Sequence, residues 1–201
     1  MIKTGAILLA VVGLCSTLQE TTSPVLRTYH EVLPAAAAIE FCEEFPTECI
    51  ASPVTYMPVN SVRFAELKTV NDTVNAQMRY GSDQELFGVD EKWTLNETAD
   101  DCEGFAFVKR KRLIALGWPA STLLVTVVRT PEKTMHAILI AHTASGDFLL
   151  DKTTHGSDRI RRWYEMPYEY IAQQSKEDPH RWVSLTKRDP DFQTTRWITS
   201  K

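Results

Sequence analysis

Cys102, His136 and Asp151 are the residues of this chain whose types and order could do covalent chemistry. Cys102 follows the acidic, turn-prone run 98–101 and opens an apolar-periodic segment, which predicts a thiol in the first turn of a helix. The N–H groups and dipole of a helix N-terminus favour an ionised sulfur, which is the nucleophilic form. His136 lies in an alternating apolar strand and Asp151 closes another. The order therefore suggests a nucleophile, a base and a carboxylate that orients the base.

Each of these residues also has a structural interpretation. A lone cysteine commonly packs as a small apolar residue, a strand histidine as hydrogen-bonded core, and an aspartate after a strand as a turn former. His142 shares the strand face of His136, and His155 lies near Asp151 in the sequence, so both compete for the role of base. His136 is preferred because it opens its strand, where a polar group can reach a cleft.

Asp101 and Glu103 flank the candidate nucleophile and create an electrostatic problem. Their charges, with that of Asp100, would raise the pKa of the thiol and oppose the helix dipole. A bound hard cation would cancel this repulsion, and carboxylate oxygens are ligands that calcium prefers. Asp101 and Glu103 are therefore candidate calcium ligands, helped by the acidic loop 83–91. The alternative is that the acids only cap the helix, with Asp100 as N-cap in a box-like pairing with Glu103.

The N-terminal segment 1–22 is predicted to be a secretory signal. Lys3 precedes the apolar run 6–14, which has signal-peptide length and is too short to span a bilayer. We therefore expect an exported protein, periplasmic or secreted, in which residues 23–201 form a single domain. The alternative is a short buried N-terminal helix.

The cysteines divide into a pair and a single thiol. If Cys15 leaves with the signal, Cys42 and Cys49 lie close together around the turn-forming Pro46, and Cys102 is left over. An oxidising compartment would let the pair form a disulfide. A metal site is the alternative use of the pair, but no Cys-x-x-Cys or His-x-x-x-His motif accompanies it.

Composition and patterning indicate a soluble α+β domain. The chain has 201 residues, 43% of them hydrophobic, and a net charge of -4, which gives no basic field for nucleic acid. A proline-rich irregular layer at 24–58 precedes an amphipathic helix at 61–80, capped by Asn60 or Ser61. Further predicted elements are a helix from Cys102 to Gly117 and strands at 122–129, 135–143, 147–151, 181–185 and 195–198. The basic run 109–112 in that helix is interpreted as a solvated face, with a binding patch as the alternative.

Several motifs together resemble one family. Val70-Asn71, Val74-Asn75, Tyr80-Gly81, Trp93, Asp101-Cys102-Glu103, His136-Ala137-Ile138-Leu139 and Leu149-Leu150-Asp151 are similar to the bacterial transglutaminase-like cysteine proteinases. The similarity runs from near residue 40 to near residue 185. The family pattern after the nucleophile is Glu-Asp-Tyr, where this chain has Glu103-Gly104-Phe105, and Lys152 replaces an asparagine.

The resemblance implies a papain-like, transglutaminase-like core in which the nucleophile helix packs on an antiparallel sheet. It also implies Cys102 as nucleophile, His136 as base, Asp151 as the orienting group, and calcium at Asp101 and Glu103. The implied partners are a protein substrate, such as a surface adhesin or another exported protein, and an inhibitory membrane-receptor domain. The implied oligomeric state is a monomer.

The prediction is an exported cysteine peptidase that works through an acyl-enzyme. The Cys102 N–H would be one oxyanion donor, and Trp93 is a candidate for the second. Two alternatives stay open: transglutaminase-type acyl transfer to an amine by the same residues, and a catalytically silent calcium-binding interaction module.

Overall fold

The computed structural model describes residues 25–152 and 160–187. Its helices are α1 (Ala36–Glu44), α2 (Ser61–Gln77), α3 (Asp83–Leu86) and α4 (Cys102–Ala115). Its strands are β1 (Glu31–Val32), β2 (Arg79–Tyr80), β3 (Ala99–Asp100), β4 (Leu123–Arg129), β5 (Met135–Ala141), β6 (Phe148–Leu150), β7 (Arg161–Arg162), β8 (Glu169–Gln174) and β9 (Trp182–Ser184). The predicted signal segment 1–22 and the predicted strand 195–198 lie outside the described residues. In the described ranges, no helix is long and apolar enough to cross a membrane.

The sheet that supports the site is antiparallel and seven-stranded. Its strand order is β1-β9-β8-β4-β5-β6-β7, so the longest pair, β4 and β5, lies near the centre. β5 continues into β6 through a short connection, with Leu139 opposite Leu150. The predicted α+β architecture, in which the nucleophile helix packs on an antiparallel sheet, is confirmed.

The apolar pattern of β5 explains why the sheet is covered on both faces. Ala137, Leu139 and Ala141 belong to the main core cluster together with the buried residues of α4. Ile138 and Ile140 point the other way, into a second cluster, because successive strand side chains alternate between faces. Burying one such aliphatic side chain contributes about 1.5–3 kcal/mol, so the sheet fixes the position of α4 strongly.

The cap of α2 matches the sequence analysis, but its end does not. Asn60 is the N-cap, and its side chain accepts a hydrogen bond from the Arg63 N–H at 2.9 Å. The helix ends at Gln77 because the chain extends into β2, which pairs in parallel with β3. This pairing places the segment 81–97, which contains α3, beside the N-terminus of α4.

Only the second half of the basic run 109–112 is the solvated face that its charge suggested, since the side chains of Lys111 and Arg112 are 45% and 27% exposed. Lys109 and Arg110 are each only 1% exposed. The Arg110 guanidinium donates from Nε to the Leu123 carbonyl at 3.0 Å and from Nη1 to Glu48 Oε2 at 3.2 Å. The prediction of a solvated face fails for Arg110 because a cationic side chain can be buried when a carboxylate and a carbonyl accept its hydrogen bonds.

The predicted disulfide between Cys42 and Cys49 is confirmed, and Cys102 is the free cysteine of the described residues. The layer at 24–58 is more regular than predicted, because it contains α1 and a 3₁₀ turn at Pro46–Cys49. Phe41 of α1 stacks on Phe107 of α4 with ring centroids 3.7 Å apart. The disulfide-linked layer therefore packs against the back of the nucleophile helix and supplies Glu48 to it.

We expect Glu48→Gln to lower the free energy of unfolding by about 3 kcal/mol, because it leaves the buried Arg110 guanidinium without its counter-charge. The matched control is Glu97→Gln, which breaks the exposed pair with Lys111 and should cost less than about 1 kcal/mol. Urea denaturation of both variants measures the difference. Equal losses would show that the buried pair is not stabilising.

Candidate active site

Cys102 is the first residue of α4 and is 8% exposed. Its S–H donates to Glu103 Oε2 at 3.2 Å, and its sulfur accepts the Ala137 N–H at 3.4 Å. The nucleophile candidate is thus held between its own helix and the residue that follows His136 in β5.

His136 and Asp151 form a buried pair. His136 Nε2 lies 2.8 Å from Asp151 Oδ1, and the two residues are 7% and 1% exposed. Asp151 directly follows β6, so the pairing of β5 with β6 brings the two side chains together. An ionised carboxylate only accepts hydrogen bonds, so Nε2 carries the hydrogen and Nδ1 is left as the basic nitrogen.

The sulfur of Cys102 is hydrogen-bonded to groups other than the imidazole of His136. Among the described residues, no hydrogen bond joins Cys102 Sγ to the His136 ring, although Sγ is bonded to the amide of Ala137. Strand alternation directs the His136 ring toward the face of Ile138, whereas Cys102 packs on the opposite face.

The competing histidines occupy other positions. His142 is 1% exposed and bonded to Asp147 Oδ1 at 2.8 Å and Gln173 Oε1 at 3.2 Å. Its imidazole is thus engaged in a separate buried network. His155 lies outside the described residues.

Five acidic residues gather at the N-terminus of α4. Two groups of residues each bring three ligand atoms to within 4.8 Å of one another, and both include Asp101. One group is Asp101, Cys102 and Glu103, and the other is Asp83, Asp100 and Asp101. Glu91 is the fifth acid. Four of their oxygens are buried without a hydrogen-bond partner: Asp83 Oδ1, Glu91 Oε2, Asp101 Oδ1 and Glu103 Oε1. Such orphaned carboxylate oxygens are expensive to bury and are the donors that calcium takes, so this group fits a hard cation.

The electrostatics agree with that fit. Burial, followed by the contact with Glu103, raises the pKa of Asp101 to about 9. Burial likewise raises the pKa of Glu91 to about 8 and that of Glu103 to about 7. The pKa of the Cys102 thiol is raised well above its ordinary value, first by burial and then by Glu103 and Asp101. With these acids uncompensated, the thiol stays protonated and weakly nucleophilic.

The predicted capping box at this helix is wrong. The N-cap is Asp101, and its side chain makes no capping hydrogen bond. Asp100 instead accepts the Asp101 N–H at 2.9 Å and the Thr94 hydroxyl at 2.6 Å. Asp101 Oδ1 and Glu103 Oε1 take no hydrogen bond, so these two oxygens remain available to a ligand.

Gly104 makes room for the Asp100 carboxyl. A Cβ at Gly104 would lie 2.1 Å from Asp100 Cγ and 2.2 Å from Oδ2. We expect Gly104→Ala to lower the free energy of unfolding by about 3 kcal/mol, because overpacking displaces a hydrogen-bonded carboxyl. Urea denaturation measures this, and a loss below about 1 kcal/mol would show that Asp100 moves aside freely.

Trp93 is buried in the core, where its ring packs on Phe107 and Trp182 with centroids 5.7 Å apart. Its indole N–H donates to Glu91 Oε1 at 2.7 Å. A role as oxyanion donor stays a prediction, and it requires that this hydrogen bond break.

The structure adds neighbours of the pair that sequence reasoning missed. The Tyr168 hydroxyl donates to Asp151 Oδ2 at 2.7 Å, and Asn75 Nδ2 donates to the Asp151 carbonyl at 2.9 Å. Lys152 Nζ lies 3.0 Å from the centroid of the Tyr80 ring. Asn75 carried a signal, because it belongs to a motif shared with the resembled family, but nothing in the local sequence marked Tyr168.

Comparison with known proteins gives matches of two kinds. The family described as bacterial transglutaminase-like cysteine proteinase BTLCP matches residues 28–190. Calcium-bound Legionella pneumophila LapG superposes with a TM-score of 0.51 at 22% identity, covering 70% of this chain and 78% of that one. Another structure of Legionella pneumophila LapG gives a TM-score of 0.47 at 22% identity, covering 58% of this chain and 65% of that one. No curated protein sequence matches. At this identity the calcium-bound structure shows that the fold is shared.

Proposed function

We propose that this chain, which belongs to the bacterial transglutaminase-like cysteine proteinase family, is an exported peptidase. Its proposed catalytic residues are Cys102, His136 and Asp151. The family makes the chain a cysteine protease of the transglutaminase-like type. The observation that carries the finer proposal is the buried His136–Asp151 pair at 2.8 Å, one residue from the amide that contacts the Cys102 sulfur.

The proposed reaction is acyl transfer to sulfur followed by hydrolysis. His136 Nδ1 removes the proton of Cys102, and the thiolate attacks the peptide carbonyl carbon to give a tetrahedral oxyanion. The oxyanion collapses with cleavage of the C–N bond, and His136 gives the proton to the leaving amine. Water, deprotonated by the same Nδ1, then hydrolyses the thioester and regenerates the thiol. The Cys102 N–H donates to the oxyanion in both steps.

Two movements are needed before attack. The S–H must break its hydrogen bond to Glu103 Oε2, and the sulfur must turn toward the start of β5, where His136 lies. Both are movements of side chains at the N-terminus of α4 and the start of β5. A competent thiol then depends on how the charge of Glu103 is compensated.

We further propose that calcium supplies this compensation. Asp101 and Glu103 are the principal ligands, and the orphaned Asp83 Oδ1 and Glu91 Oε2 support a larger ligand set. When bound, the cation supplies positive charge that removes the repulsion between the carboxylates and the thiolate. Glu103, once engaged by other partners, no longer competes for the hydrogen of Cys102.

The proposed substrate is an exported or cell-surface protein, such as an adhesin, and an inhibitory membrane-receptor domain is the proposed regulatory partner. Acyl transfer to an amine and a chemically silent calcium-binding module are the competing functions. Incorporation of a labelled amine into a glutamine peptide would favour the first. A Cys102 that resists iodoacetamide near neutral pH in the presence of calcium, together with a Cys102→Ala variant of full biological effect, would favour the second.

The deciding experiment compares exported and surface proteins from cells that carry the wild-type chain or Cys102→Ala. Fragment ends mapped by mass spectrometry should appear only with the wild type. Intact-mass measurement of the secreted chain in the same samples should show loss of the N-terminal segment. An identical fragment pattern in both strains would contradict the peptidase.

A further inference from the structure

We propose that Tyr168 is a positioning residue for the histidine–aspartate pair, an inference that rests on the proposed peptidase. The hydroxyl of Tyr168 donates to Asp151 Oδ2 at 2.7 Å, while Asp151 Oδ1 bonds His136 Nε2 at 2.8 Å. The two oxygens of one buried carboxylate are thus held by different donors. Tyr168 fixes the carboxylate plane, and through it the orientation of the imidazole.

A second contact joins the tyrosine to the imidazole itself. The rings of Tyr168 and His136 meet edge to face, with centroids 6.1 Å apart and an interplanar angle of 71°. Tyr168 therefore touches both members of the pair, and rotation of the His136 ring out of its plane would collide with the tyrosine. A ring held on one side by a carboxylate and on another by an aromatic edge keeps Nδ1 pointing in one direction.

The scaffold makes this arrangement rigid. The side chain of Asp151 is 0% exposed, so water does not replace a lost donor at Oδ2 easily. The Asp151 carbonyl is itself fixed by Asn75 Nδ2 of α2 at 2.9 Å. With its carbonyl and both carboxylate oxygens bonded, Asp151 has little freedom, and loss of the Tyr168 hydroxyl removes a donor that orients Oδ2.

The test is Tyr168→Phe, which deletes one oxygen and keeps the ring. The matched control is Tyr170→Phe, which keeps the ring that packs on Tyr168 and deletes a hydroxyl that donates to the Trp163 carbonyl instead of to Asp151. We expect Tyr168→Phe to lower kcat about tenfold with KM unchanged, and Tyr170→Phe to keep kcat. Thermal unfolding of both variants confirms that each is folded.

A spectroscopic measurement separates this inference from the peptidase proposal. The His136 Nε2–H resonance should shift in Tyr168→Phe and not in Tyr170→Phe, whether or not any form of the protein cleaves peptides. A shifted resonance in a protein without peptidase activity would support the positioning role and overturn the peptidase. An unchanged resonance together with wild-type kcat in Tyr168→Phe would overturn the positioning role alone.

Discussion

Replacing His136 with glutamine is expected to lower kcat for peptide hydrolysis by at least about a thousandfold, because the amide cannot accept the thiol proton. The side chain is similar in size and can still donate to Asp151, so the fold should survive. The measurement is steady-state hydrolysis of a cleaved peptide, with the folded fraction determined from thermal unfolding.

The chain offers an unusually close control. His142 and Asp147 form a second buried pair, also at 2.8 Å, whose contacts do not include the sulfur of Cys102. His142→Gln should therefore cost stability while the folded protein keeps its kcat. If His142→Gln abolished turnover and His136→Gln kept it, the base would be assigned to the wrong histidine.

Calcium is expected to raise the melting temperature strongly at pH 8 and hardly at all at pH 5. Without metal, the folded protein binds protons on Asp101, Glu91 and Glu103 more tightly than the unfolded chain does, since folding raises their pKa values to about 9, about 8 and about 7. Unfolded carboxyls titrate near pH ~4. The stability that the folded protein gains from binding these protons is therefore full below that pH and is lost as the pH rises through the folded pKa values. The cation replaces those protons as the compensating charge. At a hundred times its dissociation constant it would add about 2.7 kcal/mol.

Variants at the acids show which residues bind the cation. Asp101→Asn and Glu103→Gln should lose the calcium-induced rise in melting temperature, and Asp83→Asn should weaken it. Glu97→Gln, at an exposed acid paired with Lys111, is the control and should respond as the wild type does. The same melting temperature with calcium and with a chelator, at both pH values, would contradict the metal site.

Calcium is also expected to raise the reactivity of the Cys102 thiol. Alkylation of Cys102 by iodoacetamide should be slow in chelator, since the pKa of the thiol is raised by burial and by Glu103 and Asp101, and several-fold faster with calcium. The rate of thiol modification reports on the sulfur directly and needs no substrate. Equal rates in the two conditions would mean that the acids do not control the thiol.

The sequence alone was sufficient to predict the features that follow from local pattern. Short apolar runs bounded by turn residues predicted β4, β5 and β6 to within two residues at either end, since the burial of a strand is encoded in the strand itself. The close spacing of Cys42 and Cys49 around Pro46 predicted the disulfide, and Asn60, the N-cap of α2, was one of two predicted caps, the other being Ser61. Cys102 at the start of a helix followed from the acidic turn before it, and the α+β class followed from the order of the elements.

Only the tertiary structure decided which of these residues meet, because contacts between distant segments depend on strand register and on packing that no short motif contains. It paired His136 with Asp151 and His142 with Asp147, two equivalent choices along the sequence. It turned Arg110 from a surface charge into a buried partner of Glu48, and gathered Asp83 and Glu91 beside Asp101. The local sequence determined the chemistry that each residue carries, while the fold selected its neighbours and so the charge that each one experiences.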